Sequence, residues 1–325
     1  LKPNLLAARD PSLATTTHPA LLAAIAKRLR ELGVQNLVLA DSSGGIYTPA
    51  ALRRLYSACG LNPLSEWLTL NEDVTFADVQ GFPLLQPVVQ ADLIINCPKL
   101  KTHGLTTMSG AVKNLFGCIP GLRKPEMHCL KPSVDSFCEM LIDLSLAVKP
   151  QLTIMDAVDC MEGNGPGGGT VKRVGYTLCS RDLYAIDEVA ATLMALPKGM
   201  TPPLVREARQ RGLSQPTSVE MVGDPLLPPQ PPFQLPDAIV KSERLLSVNG
   251  LFHRFFGRKR TFPVVRTENC VGCGQCAESC PKGIIRIANQ KAVIGARGCI
   301  SCFCCQEMCP AHAIDVVARK TRSEQ

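Results

Sequence analysis

Nine of the sixteen cysteines fall between residues 270 and 309, and their spacing is regular. Cys270, Cys273, Cys276 and Cys280 read C-x2-C-x2-C-x3-C and are followed by Pro281. Cys299, Cys302, Cys305 and Cys309 repeat the pattern 29 residues later and are followed by Pro310. Thiolates at this spacing wrap a [4Fe–4S] cubane, whereas structural zinc uses paired C-x2-C units without the third cysteine and the trailing proline. Tight loops of this kind aim backbone N–H groups at the cluster sulfurs, and Gly272 and Gly274 supply the conformational freedom. Cys304 is an additional cysteine inside the second motif, read as a small residue filling space beside a cluster rather than as a redox-sensing thiol.

The doubled motif resembles the bacterial two-cluster ferredoxins, in which each fourth cysteine serves the other cluster. That resemblance implies one cluster on Cys270, Cys273, Cys276 and Cys309, and a second on Cys299, Cys302, Cys305 and Cys280. It also bears on the charge. The net +7 divides into −1 over residues 1–240 and +8 over residues 241–325. Two anionic cubanes offset about half of the basic excess, taking each at roughly −2 when oxidised. What remains suits docking to an acidic redox partner protein better than nucleic acid, which is not expected as a partner.

A second constellation lies between residues 96 and 131: Lys99, Lys101, His103, Lys113, Asn114 and His128. Lysine and histidine at the carboxyl edge of a parallel sheet make a site for an anion such as a phosphate or carboxylate. Lys2, Asn4, His18 and Asp41 are expected at the same edge. Asp156, Glu162 and Asn164 are expected there too, as residues following a further strand. Lys113, His103 and His128 are read as the catalytic candidates. Lys2, Asn4, His18, Asp41, Lys99, Lys101, Asn114, Asp156 and Glu162 are read as holding an additional ligand or metal. The glycine-rich run after Asn164 offers backbone N–H groups to a phosphate without matching GxGxxG or a P-loop.

The elements that must position these groups alternate. Helices are expected from Pro19 to Gly33, from Pro49 to Cys59, over Met108–Phe116, over Ser133–Val148 and from Leu183 to Leu196. Strands are expected at Asn36–Ala40, Leu93–Cys97, Leu152–Val158 and Val174–Cys179. This pattern predicts an α/β fold, a mainly parallel sheet with helices on both faces, plus a small C-terminal α+β ferredoxin-like domain. The domains read as 1–240, a basic amphipathic connector at 241–262 reached through a proline-dense stretch at 223–236, and 263–325. At 46% hydrophobic and 19% charged, the chain has enough apolar material for a core and is not disordered. No run is long enough for a transmembrane segment, and the cysteine content points to a reducing compartment, the cytoplasm.

LKPNLL, TTTHP, PKLKTHGLTTMSGAVKNLFGCIPG, the region around His128 and MDAVDCMEGNGP together resemble the domain of unknown function 362 family. Its members often end in a two-cluster ferredoxin module and usually carry a further strand and helix before LKPN, which implies an N-terminally truncated chain. The resemblance implies an iron–sulfur protein and does not name a reaction. The reading from the residues is electron transfer through two [4Fe–4S] clusters to or from an anion-binding site in the α/β domain, as an oxidoreductase. Two alternatives stand beside it. One is a non-catalytic electron carrier or assembly factor. The other is a reductively activated metal-dependent isomerase on His18, His103, His128 and Asp156, since the Lys/His stretch also loosely resembles the nickel-pincer lactate racemases.

Overall fold

The computed structural model describes residues 1–241 and 259–320. The first part runs α1 (Pro19–Glu31), β1 (Val38–Leu39), α2 (Pro49–Ala58), β2 (Thr69–Leu70), the hairpin β3 (Phe76–Val79) and β4 (Phe82–Leu85), and α3 (Gln86–Val89). It continues with β5 (Ile95–Asn96), β6 (Lys99–His103), β7 (Thr107–Ser109), α4 (Ala111–Asn114), α5 (Arg123–Leu130) and α6 (Val134–Val148). The long strands β8 (Leu152–Glu162) and β9 (Thr170–Ser180) lead to α7 (Leu183–Leu193) and α8 (Pro203–Gln210). The second part is β10 (Lys259–Val265), α9 (Gln275–Glu278), β11 (Ile285–Ala288), β12 (Lys291–Ile294), α10 (Cys304–Glu307) and β13 (Ile314–Lys320).

The central sheet is parallel-rich. β2 pairs with β1 in parallel, and the Ala40 N–H donates to Leu1 O at 3.0 Å, which brings the first residues alongside β1. Lys2 bridges in parallel to Asn96 of β5, and β8 pairs in parallel with β5 and then with β6. β9 closes the other edge of β8 antiparallel, and β7 returns antiparallel on β6. Side chains alternate across β8. Leu152 and Ile154 pack on the cluster formed by α1 and α2, while Met155 and Ala157 belong to the cluster holding α4, α6, α7 and α8. Helices therefore cover both faces, and the carboxyl ends of the strands are left to present polar groups.

Two elements differ from the sequence reading. The span Met108–Phe116 is a short strand, then α4, then a 3-10 turn at Leu115–Cys118, because Gly110 is extended and Asp187 receives the first N–H groups of α4. The strand expected to stop at Val158 runs on to Glu162 because β9 pairs with it along its length. Asp156 and Glu162 thus lie within β8 rather than beyond it.

In the C-terminal unit, β10 pairs with β13 and β11 with β12, both antiparallel. Gly272 and Gly274 adopt left-handed backbone at φ 67° and 84°. At the equivalent places in the second motif, Ser301 (φ 56°) and Phe303 (φ 61°) do the same without glycine. The Ser301 hydroxyl donates to Thr261 O at 2.7 Å, and the Phe303 ring is buried with Ala238 and Val316, so packing holds a backbone that L-residues disfavour. Most of the amphipathic connector, 242–258, lies outside the described residues.

Candidate functional site

The lysines of the 96–131 stretch separate into two groups. Alternation along β6 keeps all five of its residues buried, since β8 and β7 flank it. Lys99 Nζ is 2.8 Å from Asp156 Oδ2, with each side chain 1% exposed. Asp156 Oδ2 also accepts the His18 N–H at 2.9 Å, which fixes the start of α1 to the sheet. His18 itself is exposed, and its Nδ1 accepts the Ala20 N–H as the cap of α1. Glu162 pairs with Lys172 at 3.0 Å and accepts the Gln234 N–H. These four groups hold strands, helix and connector together.

Lys101 and its neighbours do something else. A cavity of about 90 Å³ is lined by Asn4, Asp41, Lys101, His103, Lys113, Asn114 and His128, joined by Ser42, Ser109 and Lys124. The C-terminal unit contributes Ser279, Cys304, Glu307 and Met308 to the wall. Lys2 lies just behind, 2.9 Å from Asp41 Oδ1. A larger open groove of about 690 Å³ beside β9 and α7 is lined by neither lysine nor histidine.

The cavity groups are held by a polar lattice. Lys101 Nζ donates to Asn4 Oδ1 (2.8 Å) and Thr15 O (2.6 Å). Asn4 Nδ2 donates to Asn114 Oδ1 (2.9 Å), and Asn114 Nδ2 donates to Asn96 Oδ1 (2.7 Å). Lys124 Nζ donates to Ser42 O (2.5 Å) and Ser43 O (2.9 Å). An ammonium has three N–H donors, so Lys101 and Lys124 each keep one beyond these bonds. Lys113 has no hydrogen-bond partner among the described residues. Its Nζ sits 5.6 Å from the Phe116 ring centroid and 5.5 Å from that of Phe137. Burial pushes Lys101 and Lys124 down to about 7, and it lowers Lys113 as well.

His103 Nδ1 accepts the N–H groups of Leu105 (3.0 Å) and Thr106 (3.3 Å), which leaves the proton on Nε2. Nε2 makes no well-aligned hydrogen bond; its nearest acceptor is Glu307 Oε1 at 3.0 Å. Burial, with Lys113 adding to it, holds His103 down to about 4. His128 stacks on Phe137 (4.1 Å, 20°), and burial takes it to about 3. For Glu307 burial raises the carboxyl, but the close approach of His103 and the charge of Lys113 outweigh this and leave it at about 2. The imidazoles are therefore neutral at neutral pH, and Glu307 is an anion facing amines.

The glycine-rich run serves the junction between the two parts. A Cβ on Gly167 would stand 3.2 Å from Glu307 O, so the loop lets α10 approach closely. Arg9 donates to Cys309 O at 3.1 Å, and Lys241 donates to Val316 O at 2.7 Å, across the same junction. Within the loop, the N–H groups of Gly165 and Gly168 bond Gly163 O and Asn164 O, so they are engaged locally.

Two further cavities lie in the C-terminal unit. One is lined by Cys270, Cys273, Cys276 and Cys309, the other by Cys280, Cys299, Cys302 and Cys305. Burial and then Cys309, Cys273 and Cys270 push the Cys276 thiol up to about 11; burial and then Cys302, Cys299 and Cys280 raise Cys305. Crowded thiols that oppose one another's ionisation suit a polynuclear cation, which relieves the repulsion. Backbone donors are also in place: Ala292 N–H to Cys270 Sγ and Ala313 N–H to Cys309 Sγ, each at 3.3 Å. The residues fit two cubanes in the crossed arrangement. Among the described residues, no three histidine, cysteine or carboxylate groups converge on a single metal ion, and His18 and Asp156 stand apart from His103 and His128.

Comparison with known proteins agrees with both halves. The family model described as "Domain of unknown function (DUF362)" matches residues 1–192, and the model of a 4Fe-4S dicluster domain matches residues 262–310. The thylakoid-associated protein sll1697 of Synechocystis sp. is 32% identical over 234 residues, spanning 68% of this chain and 70% of that protein. The RNA polymerase subunit Rpo3 of Methanosarcina mazei and that of Methanosarcina acetivorans are 34% and 32% identical over 83 residues, covering 22% of this chain and 31% of each subunit. Among the described residues no helix is long and apolar enough to cross a membrane.

Proposed function

The chain belongs to the DUF362 family and carries a 4Fe-4S dicluster domain, and on that premise we propose that it moves electrons between its clusters and a small anion held in the composite cavity. A bound [4Fe–4S] cluster supplies one-electron transfer at a potential tuned by hydrogen bonds to its sulfurs and by exposure. The observation that carries the reading is where the cavity sits. Ser279 adjoins Cys280, Cys304 adjoins Cys305, and Glu307 and Met308 follow on the same short segment, so the ligand space borders the cluster of Cys280, Cys299, Cys302 and Cys305. The uncommitted N–H groups of Lys101 and Lys124 and the unpartnered Lys113 favour an acceptor-rich occupant. At about 90 Å³ it is a small one, far below the roughly 300–1,000 Å³ of sites for drug-sized ligands. The other cluster site lies nearer the surface, with Val271 67% exposed and Cys273 exposed, which suits exchange with a redox partner protein.

The test uses anaerobically purified protein reduced with dithionite. Acetate or phosphate is expected to alter the paramagnetic resonance of one reduced cluster, and the combined Lys101→Ala and Lys124→Ala variant to lose that response with cluster content intact. If neither anion changes the signal, and native mass spectrometry finds two clusters and no retained ligand, the reading fails. The carrier alternative then takes its place.

A further inference from the structure

We propose that the Lys113 amine is a nucleophile and that the cavity takes a small 2-oxo acid, which Lys113 binds covalently as an imine. The inference rests on the anion-site reading above and names the substrate class of that site. Three observations carry it. Lys113 lines the cavity yet makes no hydrogen bond and has no carboxylate within ion-pair distance among the described residues, in contrast to Lys2, Lys99, Lys101 and Lys124, which all have oxygen partners. Its Nζ lies 5.6 and 5.5 Å from two phenylalanine ring centroids, and burial, against the opposing charge of Glu307, lowers the amine and so frees the lone pair. The carboxylate anchors lie apart from it: Lys101 and Lys124 are fixed on backbone and amide oxygens, each with an N–H to direct at a carboxylate.

The step balances without an external oxidant or reductant. The Nζ lone pair forms the C–N bond while the carbonyl π electrons move to oxygen, and one proton passes from the new ammonium to the alkoxide to give a neutral carbinolamine. The His103 Nε2–H, which lines the same cavity, can hydrogen-bond that oxygen without giving up its proton. The second nitrogen proton then leaves with the hydroxyl as water as the C–O bond breaks. Overall the amine loses its two hydrogens, the carbonyl loses its oxygen, and a C=N bond remains. A carboxylate without an adjacent carbonyl binds the same anchors and forms no bond.

The experiment adds pyruvate and sodium cyanoborohydride to the anaerobic holoprotein and maps reduced adducts by peptide mass spectrometry, with acetate as the carboxylate control. Calorimetry of pyruvate binding is run on the same preparation. The expected result is an adduct on Lys113 at about tenfold or more the level on exposed Lys131 and Lys198, and none with acetate. Lys113→Arg should lose the adduct and bind pyruvate more weakly. Because the map is made on the natural chain, it decides the question even if that variant does not fold. Pyruvate binding without enrichment at Lys113 overturns the imine and leaves the anion site standing. Absence of binding by pyruvate, acetate and phosphate alike overturns both.

Discussion

Replacing Lys99 separates a structural lysine from a ligand-binding one. Its ammonium is 2.8 Å from Asp156 Oδ2 with both side chains 1% exposed, and it does not line the cavity. In Lys99→Met the carboxylate keeps the N–H groups of His18 (2.9 Å) and Val158 (3.2 Å) but loses its counter-charge. Breaking a buried pair from one side costs about 3–5 kcal/mol, because an uncompensated charge stays in a medium that solvates it poorly. Lys99→Met with Asp156→Leu removes both charges and orphans two backbone donors. It should be less destabilised than the single variant, by about 2 kcal/mol or more. The single tryptophan, Trp67, packs against the α1–α2 cluster that β8 also meets, so its fluorescence in urea reports on this domain. The expected pattern is a lower midpoint for Lys99→Met, partial recovery in the double variant, and unchanged affinity for acetate in both. A loss below about 1 kcal/mol, or a loss of affinity at unchanged stability, refutes the assignment.

Anion affinity should weaken as pH rises through 7, because Lys101 and Lys124, both brought to about 7 by burial, then lose the charge that binds the ligand. The dissociation constant rises by up to about tenfold per pH unit for each lysine. His103 and His128, at about 4 and about 3, and the Glu307 carboxylate do not titrate in that window, and calorimetry at several pH values would show the slope. In Gly117→Ala the new Cβ would stand 2.0 Å from Asp41 Oδ1 and 2.6 Å from Lys2 Nζ, so that pair must shift; urea denaturation should show a loss of up to about 3–5 kcal/mol, the cost of breaking a buried pair. Asp187 accepts the N–H groups of Ala111 (2.6 Å) and Val112 (3.1 Å) and so sets α4, which carries Lys113. Burial, outweighing these bonds, pushes its carboxyl up to about 7. The fold thus favours the protonated form; its contribution is full below about pH 4 and is lost as pH rises through 7. Asp187→Asn should flatten that part of the stability profile, measured by urea midpoints between pH 4 and 8.

The cysteine pattern was legible because cluster ligation is mostly local: three thiolates of each set lie within seven residues, with a tight turn between them, and leave their spacing in the chain. The cavity was half legible. Lys101, His103, Lys113, Asn114 and His128 sit near one another in sequence, so their convergence follows from one strand and the two helices after it. Glu307 was not legible, since within a cysteine motif it reads as a solvated charge, and only the docking of α10 carries it to His103. Lys124 was missed for the same reason, its partners being backbone carbonyls of the 42–43 turn. His18 misled in the other direction, although Pro19 after it already marked the cap position of a helix. Glu162 lies beyond the expected end of the strand at Val158, and only the pairing with antiparallel β9, which leaves no local signal, keeps β8 going to it.

The short helix α10 belongs to two structures at once. Cys305, which lines a cluster cavity, and Cys304 and Glu307, which close the ligand space, all lie within its four residues. Whatever orients this turn orients that part of the cavity wall. A cluster that orients Cys305 would orient Glu307 two residues on, so cluster loading and the shape of the proposed ligand space would be coupled through four residues.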